Sequence, residues 1–231
     1  RGVSTNNVSI INNPPLARGD LPASPGVSLP DGFRVVFAGN LGSFQGLDAV
    51  VRAAQQVDAQ VPLRLIFMGE GACKTQLQQQ AGDLLDHRVF FLPHQPVEQA
   101  FEVIRECHLG LISLLPEVYR YAFPSKSMMY LAAGCPLLAV MEPESELART
   151  IQYYSLGYCS PSRQPADIAA QLERAYRERD DWGAARRFTL AKIGEELYGS
   201  DSMLSAWRLQ FDAFSPRPMA SHHSGAPSPL V

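Results

Sequence analysis

Short apolar runs that alternate with stretches of helical period confine this chain to few architectures. Phe33 to Ala38, bounded by Gly32 and Gly39, reads as a buried strand. Leu47, Val50, Val51, Ala54 and Val57 then recur at the three-and-four spacing of an amphipathic helix. The pattern repeats: strands are expected at Leu63–Met68, Val89–Leu92, Leu109–Leu114 and Pro136–Val140. Helices are expected at Ala72–Leu85, Val97–Glu106, Ser125–Ala133 and Glu144–Tyr154, with a helical tail over about Pro165–Phe214. Strands joined through helices by short loops pair in parallel and are covered on both faces. The right-handed crossover rule makes the expected fold a Rossmann-like α/β doubly wound parallel sheet with extra C-terminal helices. Such sheets bind ligands at the carboxyl ends of their strands, so the residues that follow each strand carry the functional information.

Composition narrows the partners. The 231 residues are 46% hydrophobic and 19% charged, an ordinary globular balance, and the net charge of -3 speaks against a nucleic-acid partner. Cys73, Cys107, Cys135 and Cys159 are widely spaced without a CxxC pair, which speaks against a zinc site, and three of them lie in or beside apolar runs, which suits buried thiols in a reducing, cytoplasmic setting. The apolar run Leu131–Val140 is broken by Gly134 and Pro136 and is far shorter than the ~20 residues of a membrane span. Residues 1–30, rich in Asn, Pro and Gly, read as an interdomain linker following a domain not included here. Residues 31–214 read as the folded domain, and the Ser-, Pro- and His-rich 215–231 as a disordered tail.

Three strand-end segments could meet on one anion. Gly39-Asn40-Leu41-Gly42-Ser43-Phe44-Gln45-Gly46 leads from the first strand into a helix, where glycines permit close backbone approach and free N–H groups point outward. Its spacing is neither GxGxxG nor a P-loop. Gly69-Glu70-Gly71 sets a carboxylate between glycines, in a turn that serves geometry equally well. In Phe123-Pro124-Ser125-Lys126, Ser125 is placed to cap a helix and Lys126 falls in its first turn. A cation there opposes the helix dipole by about 0.3–1 kcal/mol, a sign that a bound phosphate reverses.

These residues carry a resemblance. Phe37-Ala38-Gly39-Asn40-Leu41-Gly42 with Gln45-Gly46-Leu47-Asp48, Met68-Gly69-Glu70-Gly71, Phe91-Leu92-Pro93, and Pro124-Ser125-Lys126 followed by Tyr130-Leu131-Ala132-Ala133-Gly134-Cys135-Pro136 agree in order and spacing with one group. The chain resembles, over about Phe33 to Gly157, the C-terminal donor-binding domain of bacterial family-four retaining glycosyltransferases of the polysaccharide-assembly type, with the GT-B fold. The resemblance implies transfer of a hexosyl or acetamidohexosyl group from a UDP- or GDP-linked sugar to a glycan or lipid-linked acceptor. It also implies an acceptor domain preceding this chain, peripheral association with the inner face of a membrane through that domain, no activity in this half alone, and no bound metal or other cofactor.

By the same resemblance Lys126 is the catalytic residue, neutralising the departing diphosphate. Donor contacts fall on Gly39, Asn40, Leu41, Gly42, Gln45, Gly69, Glu70, Gly71, Leu92, His94, Tyr121, Phe123, Pro124, Ser125 and Met129. The loop Leu92–Gln95 is expected near the base. Asn40 and Gln45 stand where many relatives carry Arg and Lys, and Tyr121 and Met129 where the broader pattern has Glu. Met129 cannot serve ribose hydroxyls as a carboxylate would. Two other readings therefore stay open: a nucleotide-binding module without turnover, and a sugar-nucleotide epimerase of the same architecture. Glu144 and Glu146 fit a helix start, and Trp182, Trp207, Phe188, Leu190, Tyr198 and Leu204 fit packing of the terminal helices.

Overall fold

The computed structural model describes residue 11 and residues 26–214. The expected tail at 215–231 and most of the expected linker at 1–30 lie outside the described residues. Six parallel strands, β1 (Phe33–Ala38), β2 (Leu63–Met68), β3 (Val89–Leu92), β4 (Leu109–Ser113), β5 (Leu137–Val140) and β6 (Gly157–Cys159), form one sheet in the order β3-β2-β1-β4-β5-β6. The helices are α1 (Asp48–Gln56), α2 (Lys74–Ala81), α3 (Val97–Arg105), α4 (Lys126–Ala132), α5 (Glu146–Tyr154), α6 (Pro165–Arg177), α7 (Ala184–Tyr198) and α8 (Ser200–Phe214). α1 packs against α2 and α6, and α4 against α3 and α7, giving a helical layer on each face. The Rossmann-like doubly wound sheet and the extra C-terminal helices are as the alternation of runs implies.

Differences from the sequence reading have local causes. β6 was not anticipated, because only Tyr158 of its three residues is buried and no apolar run marks it. The helix expected over Ala72–Leu85 ends at Ala81, where Gly82 takes φ +51° and the chain tightens into a 3-10 turn over Gly82–Leu84. Ser125 does not cap α4. Its own backbone is already helical, at φ -56° and ψ -21°, and a capping side chain needs an extended backbone to reach the first N–H groups. Ser145 does cap, accepting from the N–H of Ala148 at 3.3 Å, so α5 starts at Glu146 and not at Glu144. Cys107 and Cys135 are buried as expected, while Cys73 and Cys159 are half-buried; all four are free thiols. Trp182, Leu190 and Tyr198 pack into the core, but Phe188 on α7 is exposed, as are Leu204 and Trp207 on α8, which packs along α7.

Arg163, in the loop between β6 and α6, was not singled out by the sequence, yet it ties three strand ends together. Its guanidinium donates to the carbonyl oxygens of Gly46 (2.6 Å), Leu114 (2.5 Å) and Val140 (3.3 Å) and to Ser113 Oγ (3.2 Å). These acceptors belong to the β1–α1 loop and to the ends of β4 and β5. Burial holds the Arg163 pKa below its ordinary value. Gly46, at φ +54°, gives the guanidinium room, because a Cβ there would sit 2.2 Å from Arg163 Nη2.

At the amino end of the β1–β4 seam His108 is the stop. Its Nδ1 accepts from the Arg34 N–H at 3.1 Å and its own N–H donates to the Arg34 carbonyl at 2.9 Å. Burial, reinforced by Arg34, Arg187 and Arg179, pushes its pKa down to about 4.

Two outcomes follow from these contacts. Arg163→Met strands several carbonyl oxygens and should cost about 2–3 kcal/mol in urea unfolding. A loss below about 0.5 kcal/mol, the size of an ordinary surface change, would contradict its role. Because the folded pKa of His108 lies below the unfolded one, its contribution is complete above about pH 6.5 and is lost as pH falls toward 4. Imidazole NMR on the folded chain should therefore find His108 still neutral at pH 5; a midpoint near 6.5 would contradict the account.

Candidate functional site

A concavity lies where the sheet reverses its winding. β1 and β4 pair only at Val35–Leu109 and Val36–Gly110, although β1 runs on to Ala38 and β4 to Ser113. Ligand crevices of doubly wound sheets open at such a divergence. A cavity of about 550 Å³ occupies this edge. Its walls are Ala38, Gly39 and Asn40 after β1, Met68 at the end of β2, His94 and Gln95 after β3, Val97 and Ala100 of α3, and Ser125, Lys126, Met128, Met129 and Tyr130 at α4.

Tyr130 anchors the site. The N–H of Ala38 points toward β4 but has no strand partner there, and the Tyr130 hydroxyl accepts from it at 2.8 Å. The ring lies over Gly110, where a Cβ would approach it to 2.5 Å, so only glycine lets the tyrosine reach β1. Burial raises the phenol pKa, and the hydroxyl remains neutral. Four residues earlier on the same helix face is Lys126. Tyr130 thereby fixes the lysine above the first loop: Lys126 Cε is 3.6 Å from the position of a Gly39 Cβ, and Nζ lies 4.7 Å from the centroid of the Phe37 ring.

Lys126 is held in poor solvent. Burial lowers its pKa, and among the described residues no carboxylate pairs with it. A desolvated ammonium facing a cavity is unfavourable in isolation and attracts an anion strongly. The β1 and β2 loops are locked together beneath it. Gly39 N–H donates to Met68 O (2.9 Å), Leu41 N–H to Glu70 O (2.8 Å) and Cys73 N–H to Leu41 O (2.9 Å). Gly69 and Gly71, at φ +143° and +159°, allow this approach, since Cβ atoms there would lie 2.1 Å from Gly39 O and 2.4 Å from Leu41 O.

Of the residues selected from sequence, Gly39, Asn40, His94, Ser125, Lys126 and Met129 share the cavity wall. Leu41 is core, and Gly42 and Gln45 lie further along the loop. Gly69 and Gly71 shape the loop contact, and the exposed Glu70 side chain pairs with Lys74 Nζ at 2.8 Å. Leu92 and Phe123 are half-buried, Pro124 is buried, and Tyr121 is exposed; none of the four lines the cavity. Met68, Val97, Ala100, Met128 and Tyr130 were missed as wall residues, because in sequence they read only as core. Gln95 was anticipated only as part of the Leu92–Gln95 loop.

This architecture is one lobe of the GT-B fold. The structure of the lipopolysaccharide outer core galactosyltransferase WaaB is similar, with a TM-score of 0.65 at 14% identity, covering 92% of this chain and 57% of that one. HepE of Anabaena, solved with UDP, superposes with a TM-score of 0.63 at 17% identity, covering 79% of this chain and 49% of that one. By sequence, residues 32–178 match the family described as glycosyl transferases group 1, and the chain belongs to that family. A probable glycosyltransferase of Pseudomonas aeruginosa, WbjE, is 28% identical over 153 residues, 65% of this chain and 38% of the relative. The chain thus spans well under two-thirds of that curated relative's length. Among the described residues, no helix is long and apolar enough to cross a membrane.

The contacts of Tyr130 and Lys126 imply responses of different size in the same urea assay. Tyr130→Phe leaves the Ala38 N–H unpartnered and should cost about 1–3 kcal/mol. Lys126→Ala removes an unpaired ammonium and should change stability by less than about 1 kcal/mol. A large loss from Lys126→Ala would mean that the lysine serves the fold.

Proposed function

We propose that this chain is the donor-binding half of a retaining glycosyltransferase, moving a hexosyl or acetamidohexosyl group from a UDP- or GDP-linked sugar to a glycan or lipid-linked acceptor. One observation carries the reading: a desolvated lysine without an acidic partner, held over the glycine loop at the open end of the sheet. The diphosphate would sit between Lys126 and the Gly39–Asn40 backbone. As the bond from the sugar to the diphosphate breaks, negative charge gathers on the leaving oxygen, and the fixed ammonium stabilises it without reorganisation. HepE was solved with UDP and with UDP-glucose, which supports a nucleotide sugar as the ligand.

The domain division follows from this reading: a linker over residues 1–30, the donor domain over 31–214 and a tail over 215–231, with the acceptor domain preceding them. Catalysis needs both sides of the interdomain cleft, so this half alone would not turn over. A cytoplasmic location, with membrane-face association through the acceptor domain, suits a lipid-linked acceptor. The epimerase alternative finds no support, because no Asp or Glu is among the cavity-lining residues.

Calorimetric titration of the chain with UDP, GDP and ADP, without added metal, tests the reading. One diphosphate should bind selectively, and Lys126→Ala should weaken it about ten- to a hundredfold, the size of a lost charge-assisted contact. Absence of binding by a folded chain, or binding indifferent to Lys126→Ala, would refute the assignment.

A further inference from the structure

The cavity is polar at its two ends and apolar between them. At one end Lys126 faces Gly39 and Asn40 after β1, and at the other His94 and Gln95 follow β3. The sheet places β2 between them, so the wall crosses two strand spacings, about 10 Å. Met68 ends β2 at this midpoint. The same cavity is lined by Met129, one helical turn beyond Lys126, and by Val97 and Ala100 of α3. A thioether donates no hydrogen bond and accepts only weakly, and the aliphatic groups do neither.

A ligand anchored by its diphosphate at Lys126, with its base toward the β3 loop, lays its pentose against this middle wall. A hydroxyl buried there without a partner is penalised, whereas a methylene is not. Resting on the donor-site reading above, we propose that the cavity takes a 2′-deoxyribonucleoside diphosphate sugar at least as well as its ribonucleoside counterpart. The wall made by Met68, Met129, Val97 and Ala100 sets that preference. The anion end recognises the diphosphate in either case, so the specificity concerns the pentose alone.

Matched pairs test this on the full chain: UDP with dUDP, GDP with dGDP, and ADP with dADP, titrated by calorimetry. For the base that binds, the deoxy form should bind with equal affinity or up to about tenfold more tightly. A ribonucleotide preferred by about threefold or more overturns the proposal while leaving the donor site in place. Failure of every pair to bind a folded chain removes the donor-site reading, and this proposal with it. Met129→Glu supplies an acceptor for pentose hydroxyls and should turn the preference toward the ribonucleotide. Met129→Gln offers the same test with an uncharged acceptor if the carboxylate disturbs α4. An unchanged ratio in a folded variant that binds would show that the pentose lies elsewhere, and would overturn the proposal.

Discussion

Where β4 parts from β1, backbone groups lose their strand partners, and the structure answers with side chains. Tyr130 takes the Ala38 N–H at the carboxyl end of the seam, and His108 takes the Arg34 N–H at the amino end. Arg163 collects carbonyl groups of the β1–α1 loop and of the β4 and β5 ends. A buried peptide group left unpaired costs about 1–3 kcal/mol, so each of these side chains is tightly constrained. The cavity exists because the strands separate, and it keeps its shape because these three residues fasten the parted edges.

That fastening converts packing into chemistry. Tyr130 and Lys126 stand one turn apart on a short helix, so anchoring the phenol to β1 also aims the ammonium at the Gly39 loop. The lysine is thereby dehydrated in advance of any ligand. Its lowered pKa records that cost, which an anion bound between it and the glycine loop would offset. Gly39, Gly69 and Gly71 contribute by letting two loops close on each other beneath the lysine. Membership of the glycosyl transferases group 1 gives this arrangement its chemical setting, and the chain spans about half the length of the solved HepE structure.

Much of the fold is legible in the sequence because burial on both faces writes strands as continuous apolar runs. β1 and β2 were readable residue for residue, whereas β6, three residues with one buried side chain, had no such run. The lysine and the first glycine loop stood out because a cation at a helix start and glycines after a strand violate local preference. Met68, Val97 and Ala100 left no such mark. Their period is that of core residues, and only the strand order shows that they border a cavity. Arg163 was invisible for a different reason: its acceptors come from segments 23 to 117 residues away, which no local pattern encodes. Ser125 misled because cap preference depends on backbone angles that composition does not reveal.

The central claim is that Lys126 and the Gly39–Asn40 backbone together form the anion end of a nucleotide-sugar site. A crystal structure of the chain with the nucleoside diphosphate it binds most tightly addresses this directly. The account predicts phosphate oxygens within hydrogen-bonding distance of Lys126 Nζ and of the Gly39–Asn40 backbone, with the base directed toward His94 and Gln95. A nucleotide bound with its phosphates away from Lys126, or at another edge of the sheet, would contradict it.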